Sequence, residues 1–220
     1  MTGTRIRLLR EEDWPDVIAA EERAYASSGL SEGGPALRSR HRASPATCFV
    51  LEHAGAFGGY LLALPYPLFR CPDLSLAESG GAERTGNLHA HDLVIAERAR
   101  GRGLAHRMLR HLEETGRAAG YRSLSLVAVR GSHVLWTPLG YRARPEVGLP
   151  ASYGAEAVYM AKPIEAPATV AGTATMAGTA TAAGTGRAAG AGAASGAAAA
   201  RPSPNPADPA PGSPPRAEVG

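Results

Sequence analysis

A break in composition after residue 165 limits what this chain can fold. Every Trp, Tyr and Phe lies at or before Tyr159, whereas residues 166–220 are almost entirely Ala, Gly, Thr, Ser and Pro. Within that stretch a repeat of six residues runs AGTATM, AGTATA and AGTGRA from Ala171. A period so short, without large apolar side chains, offers nothing to bury between neighbours, so a solenoid is excluded and disorder is expected. The closing RPSPNPADPAPGSPP is expected to be extended and solvated. The chain is therefore expected to hold one folded domain over residues 1–165 and a disordered low-complexity tail over 166–220.

Charge follows the same division. Of the 23 Lys and Arg residues, Arg187, Arg201 and Arg216 lie in the tail, as do Asp208 and Glu218 of the 20 acidic ones. The net charge of +3 thus leaves the folded part nearly balanced, which does not advertise nucleic-acid binding. Cys48 and Cys71 have no metal-ligand partner at useful spacing and are expected to be idle thiols in a reducing compartment. The start, MTGTRIRLLREEDW, lacks the apolar core of a signal peptide, and no apolar run approaches membrane-spanning length. A soluble cytoplasmic protein is expected, a monomer or homodimer, with no membrane or nucleic-acid partner and no metal.

Periodicity gives the order of elements. TRIRLL from Thr4 alternates like a strand, and REEDWPDVIAAEERAY follows with Trp14, Val17, Ile18 and Tyr25 at helical spacing. A shorter helix is expected over Pro35 to Arg42, then a hairpin turning at His53 to Ala56, then a loop from Pro65 to Asn87. A strand over Leu88 to Ile95, a helix over Leu104 to Ala118 with a stripe of Leu104, Met108 and Leu112, and a strand over Ser123 to Val129 come next. A short helix broken at Pro138 and a closing strand in AEAVYMAKPI end the domain. Such a mixed α/β order buries its stripes when helices cover both faces of a central sheet.

Chemistry is concentrated in HAHDLVIAERARGRGLAHRML, His89 to Leu109. A helix N-terminus presents unpaired N–H groups and the positive end of the macrodipole. Gly101 and Gly103 allow an anion to approach that backbone, and Arg98, Arg100 and Arg102 surround it with charge, so a diphosphate is the expected ligand. A dinucleotide fingerprint fails because His106 stands where a small residue is needed, and a Walker loop fails for want of Lys followed by Ser or Thr. On these residues alone, an arginine-rich surface turn before an amphipathic helix remains the alternative.

RARGRG, Arg98 to Gly103, resembles the Gln/Arg-x-x-Gly-x-Gly/Ala motif of the GNAT superfamily of acyl-CoA-dependent N-acetyltransferases. The resemblance continues through SLSLVAV to WTPLGY, similar to the family's aromatic-x-x-x-Gly-aromatic signature. It implies a mixed, mostly antiparallel central sheet with helices on both faces. It also implies acetyl-CoA as acyl donor, its pyrophosphate held by Arg100, Gly101, Arg102, Gly103, Leu104, Ala105 and His106. Leu93, Val94 and Ile95 would pair with the pantetheine arm, the Leu93 N–H polarising the thioester carbonyl.

An acceptor amine must lose a proton before it attacks, and histidine titrates near neutral pH. His91, standing where relatives often carry the glutamate of a Glu-Asp pair, is the expected base; His89, on the same face, is expected to be a hydrogen-bonded strand residue. Asp92 is expected to orient His91's surroundings, bind the acceptor amine, or satisfy backbone N–H groups. Trp136 stands where many relatives carry a tyrosine acid; its indole cannot take that role, though it can pack against the coenzyme arm. The resemblance places the acceptor near Glu22, Tyr25 and the Tyr66 loop. The expected activity is acetyl transfer to a primary amine of a small molecule or peptide by direct attack in a ternary complex. The alternative is a degenerate module that binds acyl-CoA or a partner without efficient turnover. A third possibility, an interaction protein acting through its tail, rests on Pro content alone.

Overall fold

Alternating and wholly apolar segments assemble into one seven-stranded sheet, ordered β1-β2-β3-β4-β5-β7-β6. The structure is a computed structural model that describes residues 3–79 and 85–165, and the expected disordered tail lies outside the described residues. The strands are β1 Thr4–Leu8, β2 Phe49–His53, β3 Ala56–Pro65, β4 Asn87–Ile95, β5 Ser123–Ala128, β6 Arg142–Ala143 and β7 Val158–Pro163. Only the β4–β5 pair is parallel; every other neighbouring pair is antiparallel. The mixed, mostly antiparallel sheet expected from the sequence is thus present, with the two-residue edge strand β6 as an addition that its composition did not signal.

Helices cover both faces. On one, α1 (Trp14–Tyr25) and α2 (Gly33–Ala43) bury Trp14, Val17, Ala20 and Leu37 against Val50, Tyr60, Leu62 and Val94. On the other, α3 (Leu104–Ala118) buries Leu104, Met108, Leu109 and Leu112 against Leu88, Ala90, Leu124 and Leu126. Full burial of such side chains contributes roughly 1.5–3 kcal/mol each. A Cβ on Gly116 would meet Ile164 Cδ1 at 3.1 Å, so glycine lets α3 sit close to the end of the chain's described part. The SHVLWTPLGY segment forms α4 (His133–Trp136), then a 3-10 turn over Thr137–Leu139 as Pro138 stops the helix.

Part of the loop after β3 is well packed. Asp73 accepts from Ser152 Oγ at 2.7 Å and Pro72 O accepts from Tyr153 Oη at 2.9 Å. Beneath it lies Arg40, 1% exposed, whose guanidinium donates to the carbonyls of Asp73 and Leu76 and to Glu78. The loop is therefore fastened to α2 by one buried cation. Cys48 is buried and Cys71 half-buried, both as free thiols whose pKa burial pushes up, to about 12 and about 11. They are protonated at neutral pH and poor nucleophiles. Among the described residues no helix is long and apolar enough to cross a membrane.

Candidate active site

A bulge in β4 creates the site. Across β3, Leu62 faces Asp92 and Ala63 faces Ala90, which leaves His91 as an extra residue without an opposite number. A bulge bends its strand and aims two consecutive side chains to one side. Here His91 and Asp92 both face the α1–α2 side, while Ala90, Leu93 and Ile95 pack toward α3. Parallel pairing of β4 with β5 covers only Asn87–Ala90, so beyond the bulge the strands part. A cleft of ≈ 410 Å³ opens between them, lined by Leu93, Ile95, Ala105, Leu109, Val127 and Trp136 among others.

At the head of the cleft, buried polar groups interlock. His91 Nε2 lies 2.5 Å from Glu32 Oε1, and the His91 side chain is 0% exposed. Burial pushes the Glu32 carboxyl up, but His91 and Arg40 outweigh it and hold it below the usual carboxylate range. An ionised carboxylate only accepts, so Nε2 carries the hydrogen that faces Glu32, and in the imidazole's neutral form Nδ1 is the acceptor. That Nδ1 is buried and without a partner. Asp92 takes hydrogen bonds from Tyr25 Oη, at 2.9 Å, and from Tyr60 Oη. Burial drives its carboxyl up to about 6 despite the two hydroxyls and His91. Both phenols are pushed well above their usual range by burial and by the Asp92 charge, so they remain donors.

The Asp92 oxygens are held by two tyrosines and not by backbone N–H groups, the last of its three expected roles. His89 is a hydrogen-bonded strand residue, its Nδ1 2.9 Å from Ser125 Oγ, and burial lowers its pKa well below the usual histidine value. Glu22 is exposed on the outer face of α1, whereas Glu21, one residue earlier, is buried. Within the region expected around Glu22, it is thus Glu21 that lines the cavity beside Asp92. Tyr66 packs on His89, ring centroids 6.2 Å apart, and the cavity beside Asp92 is instead covered by Leu74 and Tyr153. Tyr25 is where it was expected, lining both that cavity and the cleft.

The turn before α3 has the form an anion needs. Gly101 and Gly103 take φ of 72° and 69°, and no side chain caps the helix. The first bond inside it runs from Arg107 N to Gly103 O, at 3.1 Å, so Leu104, Ala105 and His106 present the orphan first-turn amides. Arg100 reaches back to the Ile95 carbonyl at 3.1 Å and lines a second section of cleft with Leu93, Val94 and Ile95. Arg102 is exposed beside Gly103. Arg98 donates to the Phe57 carbonyl. Trp136 lines the cleft, donating its indole N–H to Ser132 Oγ at 3.3 Å.

Sequence reasoning missed Glu21, Glu32, Arg40, Tyr60, Leu74 and Tyr153. Each comes from a segment far from His91 along the chain, and only the fold brings them together. A larger cavity, ≈ 840 Å³, lies near the other end of β4, lined by Asn87, Ser123, Arg142 and Lys162 among others. It contains none of the expected site residues, several of which line the smaller cleft.

A model of the acetyltransferase (GNAT) family matches residues 8–141. No curated protein matches the sequence significantly. Among solved structures, the GphF GNAT-like decarboxylase in complex with isobutyryl-CoA is similar at a TM-score of 0.58 and 19% identity, over 73% of this chain and 100% of that one. The ribosomal-protein-S18-alanine N-acetyltransferase from Escherichia coli gives 0.54 and 16%, over 76% and 98%. The PaiA N-acetyltransferase from Thermoplasma acidophilum, in complex with coenzyme A, gives 0.53 and 12%, over 73% and 99%. At such identities the likeness is one of fold, and the family rests on the sequence match. From Leu8 through the bulged strand and the glycine turn to Tyr141, this chain belongs to the acetyltransferase (GNAT) family.

Proposed function

We propose that the protein transfers an acetyl group from acetyl-CoA to a primary amine of a small molecule or peptide, by direct attack in a ternary complex. The observation that carries this is the unpartnered His91 Nδ1, buried at the head of the cleft on an imidazole whose Nε2 is held by Glu32. A relative's glutamate at the His91 position would supply a carboxylate from β4; here Glu32, the N-cap of α2, supplies one, acting through the imidazole.

The chain's own groups divide the work. The amides of Leu104, Ala105 and His106, with Gly101, Gly103, Arg100 and Arg102, suit a pyrophosphate. Leu93, Val94 and Ile95, past the end of β4–β5 pairing, are free on that side to pair with a pantetheine arm. The coenzyme supplies an acetyl thioester, and the Leu93 N–H is the donor for the charge that develops on its carbonyl oxygen. His91 Nδ1 takes a proton from the acceptor ammonium, Glu32 steadies the imidazolium, and the freed nitrogen attacks the carbonyl carbon. The C–S bond then breaks, the thiolate regains a proton, and one proton passes to solvent overall. Trp136 stays out of proton transfer and packs along the cleft.

One observation favours the alternative, a module that binds acyl-CoA without efficient turnover: Trp136 stands where a tyrosine acid is usual, its N–H tied to Ser132. Thiol release from acetyl-CoA, measured over a broad amine panel, separates the two. Turnover is expected, and His91→Ala is expected to lower it by on the order of 10²–10⁴ with acetyl-CoA affinity unchanged. Tight acetyl-CoA binding without thiol release on any amine would establish the module instead.

A further inference from the structure

The cavity adjoining the cleft has a chemistry of its own. It measures ≈ 50 Å³ and is walled by Glu21, Tyr25, Glu32, Leu74, His91 and Asp92, among others. It shares Tyr25, His91 and Asp92 with the coenzyme cleft, so whatever occupies it meets the thioester at those residues. Three carboxylates face it and, among the described residues, neither Arg nor Lys lines it. The nearest cation, Arg40, stands behind Glu32, where its terminal nitrogens are taken by Glu32, Glu78 and two carbonyls. Arg130 lines the two sections that carry Leu93 and Ile95, away from the acidic wall.

The hydrogen-bond inventory sharpens this. Glu21 already accepts from Ser31 Oγ at 2.7 Å and from the Glu32 N–H at 2.6 Å, and Asp92 from two phenols. What lacks a partner is His91 Nδ1, the acceptor of the imidazole's neutral form. A ligand head of three N–H donors and positive charge completes the site. A carboxylate would enter a buried acidic wall with no cation to pair with, which is the costliest kind of burial. Space agrees with charge, since the volume is that of three or four water-sized spheres, the size of an ammonium with its first carbons.

We propose that the acceptor is a small primary amine with no carboxylate on the carbon that bears its amino group, and that free α-amino acids are excluded. This rests on the acetyl-transfer assignment above and names its substrate class. Glu21 is the specificity-determining residue, since it carries charge to the cavity wall while making no bond to His91 or Asp92.

Matched pairs test it: phenethylamine against phenylalanine, agmatine against arginine, isobutylamine against valine, with phenylalaninamide as the control that is branched but carries no carboxylate. Each amine is expected to exceed its amino acid by on the order of 10² in kcat/KM, with phenylalaninamide between them. Glu21→Gln is expected to narrow the amine-to-amino-acid ratio by about tenfold, because it removes charge and keeps shape. Amino acids turned over within threefold of their amines would overturn the proposal, as would a ratio untouched by Glu21→Gln. If acetyl-CoA binds and no pair is turned over, the acetyl-transfer assignment falls. Calorimetric titration of the same pairs into protein saturated with coenzyme A then still decides the acceptor class: equal binding of amine and amino acid overturns it, and a preference for the amine sustains it.

Discussion

Asp92 is an acid placed where its charge is costly. Its native pKa of about 6 lies above the value near 3.9 of an unfolded aspartate, because burial outweighs its two tyrosine donors. The native state therefore holds a proton that the unfolded chain releases first. Stability from this group is full below about pH 4 and is lost as pH rises toward 6, by on the order of 3 kcal/mol. Glu32 works in the other direction: its lowered pKa contributes stability that disappears as pH falls below the usual carboxylate range. Asp92→Asn should remove the first effect alone. Denaturant unfolding of both proteins at pH 4.5, 5.5, 6.5 and 7.5 is expected to show the wild type losing stability relative to the variant by roughly 2 kcal/mol across the series. A difference independent of pH would mean that Asp92 is ionised throughout. A near-neutral acid beside the base is the kind of cost that active sites carry.

At the scale of elements, the glycine turn and α3 act as a unit. Gly103 is the N-cap at φ 69°, and a Cβ there would meet no atom within 4 Å. Its need for glycine therefore comes from the left-handed backbone, together with the ligand's approach, and not from crowding within the protein. Gly103→Ala is expected to cost about 1 kcal/mol of stability and little acetyl-CoA affinity. Gly103→Asp should cost similar stability but weaken acetyl-CoA at least tenfold, through repulsion at the helix N-terminus. Titration of both variants checks this, and equal affinities would remove the pyrophosphate from the turn. This element was legible in the sequence because turn, strand and helix are contiguous, and so their periodicity and glycines appear together. The bulge at His91 was not, since it is defined by the register of Leu62 and Ala63 on another strand. Glu32 was invisible for a related reason: α2 begins in a Gly-rich stretch whose weak periodicity gave no face, and only packing puts its carboxylate on His91.

For the whole molecule, the question is where folding information ends. Composition put the boundary at Glu165, and the last described residues show what holds that end. Ile164 is 7% exposed, packs over Gly116 of α3, and donates its N–H to the Arg122 carbonyl at 2.8 Å. The Glu165 carbonyl accepts from Arg117 Nε at 2.9 Å on an exposed surface. Removal of residues 166–220 leaves both contacts in place, so a chain ending at Glu165 should melt within a degree or two of the full chain and bind acetyl-CoA as tightly. A chain ending at Pro163 loses the isoleucine that fills the space above Gly116, together with one backbone bond, at a cost of roughly 2–4 kcal/mol. In a domain of this size that lowers the melting temperature by about 5–12 °C. Scanning calorimetry of the three chains distinguishes the cases. A loss of that size already at Glu165 would mean that the tail contributes to the core despite its lack of large apolar residues, whereas no loss at Pro163 would mean that β7 closes the core without Ile164.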